Sequence, residues 1–91
     1  MKEITTSTGF KIKVDEDNFD NMEFVELLAG AGNETEELMI APKAIEMTLG
    51  KEGKEALYDH VRDEKGRPRA TRAIEEFKEI ISLVGDGGKN S

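Results

Sequence analysis

Hydrophobic positions near the start of the chain alternate with charged ones. Phe10, Ile12 and Val14 are separated by lysines, which is the two-residue period of a strand with one buried face. Threonines upstream favour a second strand, and Gly9 can adopt the positive φ of a tight turn. The pattern predicts a β-hairpin over residues 2–14. Because two strands alone are marginally stable in water, the apolar face must pack on helices or pair with another chain.

After a polar break at residues 15–18, the spacing of the apolar positions becomes helical. Apolar stripes, capping residues and glycine stops predict four to five short helices. They cover about residues 19–31, a turn beginning at residue 33, residues 43–49, 52–64 and 70–84. Pro42 should either break the run before it or begin the next helix, and Gly50 should stop that helix. The predicted fold class is α+β, helix-dominated, with an N-terminal β-hairpin.

The chain is long enough for one small domain. Its 91 residues can bury one core, and residues 1–84 are predicted to form it. In the last predicted helix, the apolar residues recur at helical spacing, and the polar residues between them are expected to face water. Those polar residues are Glu75, Glu76, Lys78 and Glu79. Residues 85–91 contain three glycines and are predicted to be a flexible tail.

The charge balance narrows the function classes. Charged and apolar residues each make up 36% of the chain, and the net charge is −7, which argues against general nucleic-acid binding. Without cysteine there is no disulfide framework and no thiolate metal site. The start has no apolar signal core, and no window approaches the roughly 18 apolar residues of a membrane span. We therefore expect a non-exported soluble protein without a membrane partner.

Residue types that carry chemistry do not assemble into an enzyme signature. The single histidine, His60, is predicted to be a surface or boundary residue, and no serine has the context of a nucleophile. Residues 15–20 resemble the opening of a calcium loop, but Phe19 and Asp20 stand where that loop needs an oxygen ligand and a glycine. The glycines match no phosphate-binding loop. We predict no catalytic residue, no metal and no cofactor.

Two features could bind a partner. Residues 59–69 are predicted to form a helix end, a turn at Gly66 and Pro68, and the start of another helix. This segment carries a basic cluster that either contacts an acidic partner or balances nearby acids such as Asp63. The apolar stripe of the last helix either forms the core or partly binds another helix. The candidate partner-binding residues are Lys65, Arg67, Arg69, Arg72, Phe77, Ile80, Ile81 and Val84.

The chain also resembles a known family. The residues that carry the resemblance are 49–53, 57–67 and 73–81, together with the polar ending Lys89-Asn90-Ser91. They are similar to the tail assembly chaperones of long-tailed phages and prophages of Gram-positive bacteria. The similarity covers the whole length in arrangement, and its specific part is residues 38–91. No single motif is chemically unique; size, acidity, order and ending together carry it.

The resemblance implies a non-enzymatic protein made in the cytoplasm of the infected or lysogenic host. Such chaperones bind the long, helical tape measure protein, help tail tube subunits polymerise around it, and are absent from the virion. Partners implied are therefore the tape measure protein and, as an open alternative, the major tail tube protein. Separately, the edge of the predicted hairpin could pair with a second copy of the chain. Many members have a longer form made by programmed frameshifting, and residues 88–90 could be encoded by a slippery run.

Two other functions remain open at this point. One is a structural tail component, such as a connector or tube-associated protein. The other is an adaptor domain of a host or prophage without a role in tails. Gene context would separate the chaperone from the adaptor, and the composition of purified virions would separate it from the structural component.

Overall fold

The computed structural model describes residues 1–87. Its elements are the strands β1 (Lys2–Thr5) and β2 (Lys11–Val14), a 3-10 turn, and the helices α1 (Met22–Ala29), α2 (Glu34–His60) and α3 (Ala70–Gly87). The predicted α+β class with an N-terminal hairpin is confirmed. Within the described residues three α-helices follow the hairpin, slightly fewer than the four to five predicted.

The hairpin forms as the alternation predicts. β1 and β2 pair antiparallel with Ile4 opposite Ile12, and Ile4, Phe10 and Val14 are buried. The turn is closed by the Gly9 amide, which donates to the Thr6 carbonyl at 3.0 Å. Gly9 has a φ of +90°, a conformation that a side chain disfavours. The sheet lies on α2 and α3, which supply the cover that a two-stranded sheet needs.

Asparagine side chains begin the first two helices. The Asn21 side chain accepts from the Glu23 amide at 2.9 Å, and the Asn33 side chain accepts from the Glu36 amide at 2.9 Å. The Glu36 carboxylate in turn accepts from the Gly32 amide at 2.8 Å. In the usual capping box the Glu36 carboxylate would accept from the amide of the N-cap residue, Asn33. Here it accepts instead from the amide one residue earlier, Gly32.

Of the two breaks predicted inside α2, the one at Pro42 is absent, whereas Gly50 interrupts the helix with a kink, as predicted. The helix continues through Pro42, which removes the hydrogen bond to the Leu38 carbonyl. Leu38 and Pro42 are both exposed residues. Gly50 leaves helical geometry, with φ +79° and ψ 173°, but helical residues resume directly after it.

An ion pair spans this break in α2. The Lys54 ammonium contacts the Glu46 carboxylate, joining residues on the two sides of Gly50. Their hydrogen bond raises the pKa of Lys54 and lowers the pKa of Glu46. This surface pair links the two helical segments across the glycine, with the small stabilisation that is typical of surface ion pairs.

The remaining helix ends differ from prediction by a few residues. α2 ends at His60, and α3 continues to Gly87, past its predicted end at Val84. The rest of the predicted tail, residues 88–91, lies outside the described residues, as do the family-like ending and the proposed frameshift codons.

One core joins the hairpin to all three helices of the described chain. Its buried apolar members are Ile4, Phe10, Val14, Phe24, Ala44, Ile45, Leu57, Val61, Ala73, Phe77 and Ile80. The Phe24 ring meets Phe77 edge-on at 6.3 Å between centroids, linking α1 to α3. Within residues 1–87, no helix has both the length and the apolar character that crossing a membrane requires.

Candidate functional site

The loop between α2 and α3 is organised around one carboxylate. Asp63 accepts hydrogen bonds from the Lys65 amide at 2.9 Å and from the Arg67 amide at 3.0 Å. The Arg67 amide bond is the largest cause that lowers the pKa of Asp63. Gly66 completes the turn with a φ of +82°. The predicted helix–turn–helix joint is therefore an ordered loop.

The same carboxylate pairs with two of the predicted partner-binding arginines. Arg67 Nη2 lies 3.3 Å from Asp63 Oδ2, and Arg69 Nη1 lies 3.5 Å from the same oxygen. Both arginine side chains are more than half exposed, as is typical of weak surface ion pairs. This geometry favours the interpretation that the loop balances its own acid. Lys65 and Arg72 are exposed.

The predicted apolar contact residues divide into two groups. Phe77 is 5% exposed and Ile80 is 0% exposed, because both lie on the α3 face that packs against the hairpin and the other helices. Phe77 still lines an apolar depression between α2 and α3, whereas Ile80 is enclosed by the core. Their part in a partner surface stays a prediction. Ile81 and Val84 are partly buried and pack against that core, leaving part of each side chain at the surface.

An apolar seam runs between α2 and α3. We define it by Leu38, Ala41 and Ile45 on α2 and by Ala73 and Ile74 on α3. Two depressions of about 170 Å³ and 230 Å³ lie along it, and Ala41 and Ile74 line both. Ile81 lines the larger one, and Pro68, from the loop, lines the smaller. The seam therefore connects the predicted loop with part of the predicted apolar surface.

Sequence reasoning missed the exposed apolar residues beside this seam. Leu38 is 48% exposed and Met39 is 77% exposed. The available signal was the run from Leu38 to Ala41, because four consecutive apolar residues cannot all face inward on one helix.

On another face, a polar cluster fastens the hairpin turn to the helices. The Thr6 hydroxyl donates to Glu76 Oε1 at 2.8 Å, and the Thr8 hydroxyl donates to Glu76 Oε2 at 2.8 Å. Glu76 is only 5% exposed, so the prediction that it faces water is wrong. Glu79 accepts from the Ser7 amide and hydroxyl. Both α3 carboxylates therefore bind the turn.

His60 joins this cluster but does not complete a catalytic triad. Its Nε2 lies 2.9 Å from the Thr8 hydroxyl and 4.0 Å from Glu76 Oε1. In a triad the nucleophile and the carboxylate bind opposite nitrogens of the imidazole, whereas here both face the same nitrogen. The His60 ring also packs on Phe10, with centroids 5.0 Å apart. The arrangement attaches the hairpin and provides no proton relay.

The cleft beside His60 has a volume of about 520 Å³, and Arg72, Glu75 and Glu79 also line it. Among residues 1–87, no group of three or more histidine, cysteine or acidic side chains is arranged to hold a metal ion. The chemistry that this face offers is hydrogen bonding within the fold. The apolar seam, with its exposed neighbours, is the surface that fits a protein partner. Comparisons with protein-family models, with curated proteins and with solved structures found no match.

Proposed function

We propose that this chain is a non-enzymatic phage tail assembly chaperone that binds the tape measure protein in the cytoplasm of an infected or lysogenic bacterium. The observation that carries the proposal is the apolar seam between α2 and α3, which includes the half-exposed Leu38. Met39, the next residue along the chain, is also exposed. Contiguous exposed apolar surface often marks a site of protein–protein interaction. A helical partner can cover such a surface.

The charge of the chain suits a protein that keeps another protein soluble. A tape measure protein, by the family resemblance, is long and helical, with apolar stripes that are exposed before the tail tube covers them. A bound domain of net charge −7 masks part of such a stripe and adds repulsion between complexes. The shallow depressions support reversible binding, which the chaperone needs because it leaves before the tail is complete.

The composition of purified phage particles tests this function against a structural role in the tail. Particles produced from the genome that encodes this chain are purified and compared with the lysate by quantitative mass spectrometry. We expect the tape measure protein in both samples and this chain in the lysate alone, because an assembly chaperone is released. Abundant copies of this chain in particles that contain the tape measure protein would instead make it a structural tail component.

A further inference from the structure

We propose that the apolar seam binds an amphipathic helix whose apolar stripe is flanked by lysine or arginine. The inference rests on the proposed function, under which that helix belongs to the tape measure protein. It specifies which surface of this chain binds the partner and which charges flank the apolar stripe of the partner helix. The observations behind it are the exposed apolar side chains, the shape of the seam and the charges at its edge.

The apolar part of the seam suits a helix rather than an extended peptide. Leu38 and Ala41 are three residues apart on α2, while Ile74 on α3 lines each of the neighbouring depressions. A partner helix presents apolar anchors at i, i+3, i+4 and i+7, which can enter depressions distributed along such a seam. An extended segment would gain its affinity from pairing with a strand edge, whereas two helices border the seam.

The edge of the seam is acidic. A third depression of about 280 Å³ is lined by Leu38 and Ile74 together with Glu34, Glu37, Glu75, Lys78 and Thr71. Three carboxylates therefore face one ammonium. Lys78 Nζ lies 3.1 Å from Glu37 Oε2, so the single cation is already paired with one of them.

Two glutamates remain available at this edge. Glu34 and Glu75 are exposed, and within residues 1–87 neither side chain takes part in a hydrogen bond or an ion pair of the fold. A helix that places lysine or arginine beside its apolar stripe would pair with them, and an acidic helix would be repelled. Charge complementarity therefore favours a partner helix with lysine or arginine beside its apolar stripe.

Two synthetic peptides test the chemistry of the partner. Both carry the same leucine stripe at i, i+3, i+4 and i+7; one has lysines beside the stripe and the other has glutamates. Fluorescence anisotropy with the whole chain measures the Kd of each. We expect the lysine peptide to bind about tenfold or more tightly than the glutamate peptide, with an advantage that shrinks as salt is added. Equal affinities would overturn the inference.

Three variants test whether binding occurs at the seam. Leu38→Ser removes an exposed apolar contact, and Glu75→Lys reverses a charge at the edge. Glu52→Lys makes the same change in net charge at an exposed residue that lines none of the three depressions. We expect the first two to weaken the lysine peptide about tenfold and the control less than twofold. If Glu52→Lys weakens binding as much as Glu75→Lys, binding follows net charge and the seam is not the site.

The same variants separate this inference from the proposed function. If the Leu38→Ser and Glu75→Lys variants capture the tape measure protein as well as the unmodified chain does, the proposed function stands, but the seam is not the surface that binds it. If the lysine peptide binds at the seam while the chain fails to capture the tape measure protein, the surface stands and the proposed function is overturned.

Discussion

At the residue scale, Glu76 shows how an acidic side chain can be buried beside the hydrophobic core. It shares the inward face of α3 with Ala73 and Ile80, which lie three positions before it and four positions after it. Burial of a carboxylate is costly unless its oxygens are bonded. Hydroxyl groups of the hairpin turn supply those bonds, and the sequence separation of about 70 residues conceals this pairing from local analysis.

Replacing Thr6 with valine tests the contribution of this carboxylate to stability. Thr6→Val keeps the shape of the side chain but removes the bond to Glu76 and the acceptor used by the Phe10 amide. We expect a loss of about 2 kcal/mol in the free energy of unfolding, because a buried charged acceptor and a backbone donor both lose a partner. Urea denaturation monitored by circular dichroism measures the change.

Thr5→Val is the matched control, since Thr5 is exposed and adjacent in β1. We expect it to change the free energy of unfolding by no more than about 0.5 kcal/mol. Equal destabilisation by the two substitutions would mean that the Glu76 bonds contribute nothing specific.

At the element scale, sequence patterns located the helices and the interruption at Gly50, but they did not predict that α2 continues through Pro42. Periodicity and caps predicted the hairpin, the starts of α2 and α3, and a joint between them. Pro42 and Gly50 are strong breakers in isolation. Gly50 leaves helical geometry, as its propensity predicts, while Pro42 is accommodated within the helix. Whether a helix accommodates a proline depends on its three-dimensional surroundings as well as on local propensity.

The loop between α2 and α3 should respond to acid through Asp63. Its pKa in the folded protein lies below the ordinary value of 3.8, so its ionised form stabilises the fold. That contribution is fully present above the ordinary pKa and is lost as pH falls through the lowered one. We expect Asp63→Asn to lower the Tm at neutral pH and the difference from the unmodified protein to close in acid. Thermal melts of both proteins across a pH series measure this difference.

Glu64→Gln provides the comparison for the loop, because Glu64 is a neighbouring exposed acid. We expect its Tm to follow that of the unmodified protein over the same pH series. A difference for Asp63→Asn that stays constant with pH would contradict a role for the Asp63 charge.

At the scale of the whole molecule, the α+β class could be predicted because each signal was local: alternation for the hairpin and helical spacing for the rest. The partner surface could be predicted only in part. Ile81 and Phe77 both line the larger depression of the seam, although Phe77 also belongs to the core, and Ile80 is enclosed by that core. The run from Leu38 to Ala41 indicated that some of these residues are exposed, but which of them are exposed depends on the packing of α2.

The small size of the protein explains why most of the predicted apolar surface is used by the core. In a chain of 91 residues, most of an apolar stripe is needed to build one core, because small domains have little interior. A partner must then use the apolar residues that the core leaves over. On this molecule, exposed large apolar residues lie near the start of α2 (Leu38 and Met39) and also at Met1, Met22 and Val25. Of these, only Leu38 lines the α2–α3 seam, and the basic loop borders one end of that seam through Pro68.

Capture of the tape measure protein is the most direct test of the central claim. The chain is co-expressed with the tape measure protein encoded by the same genome, and the soluble, co-purifying fraction is compared with that obtained without the chain and with the Leu38→Ser variant. The account predicts a soluble complex with the unmodified chain, and mostly aggregated tape measure protein in both comparisons. A tape measure protein that neither co-purifies with the folded chain nor gains solubility from it would contradict the account.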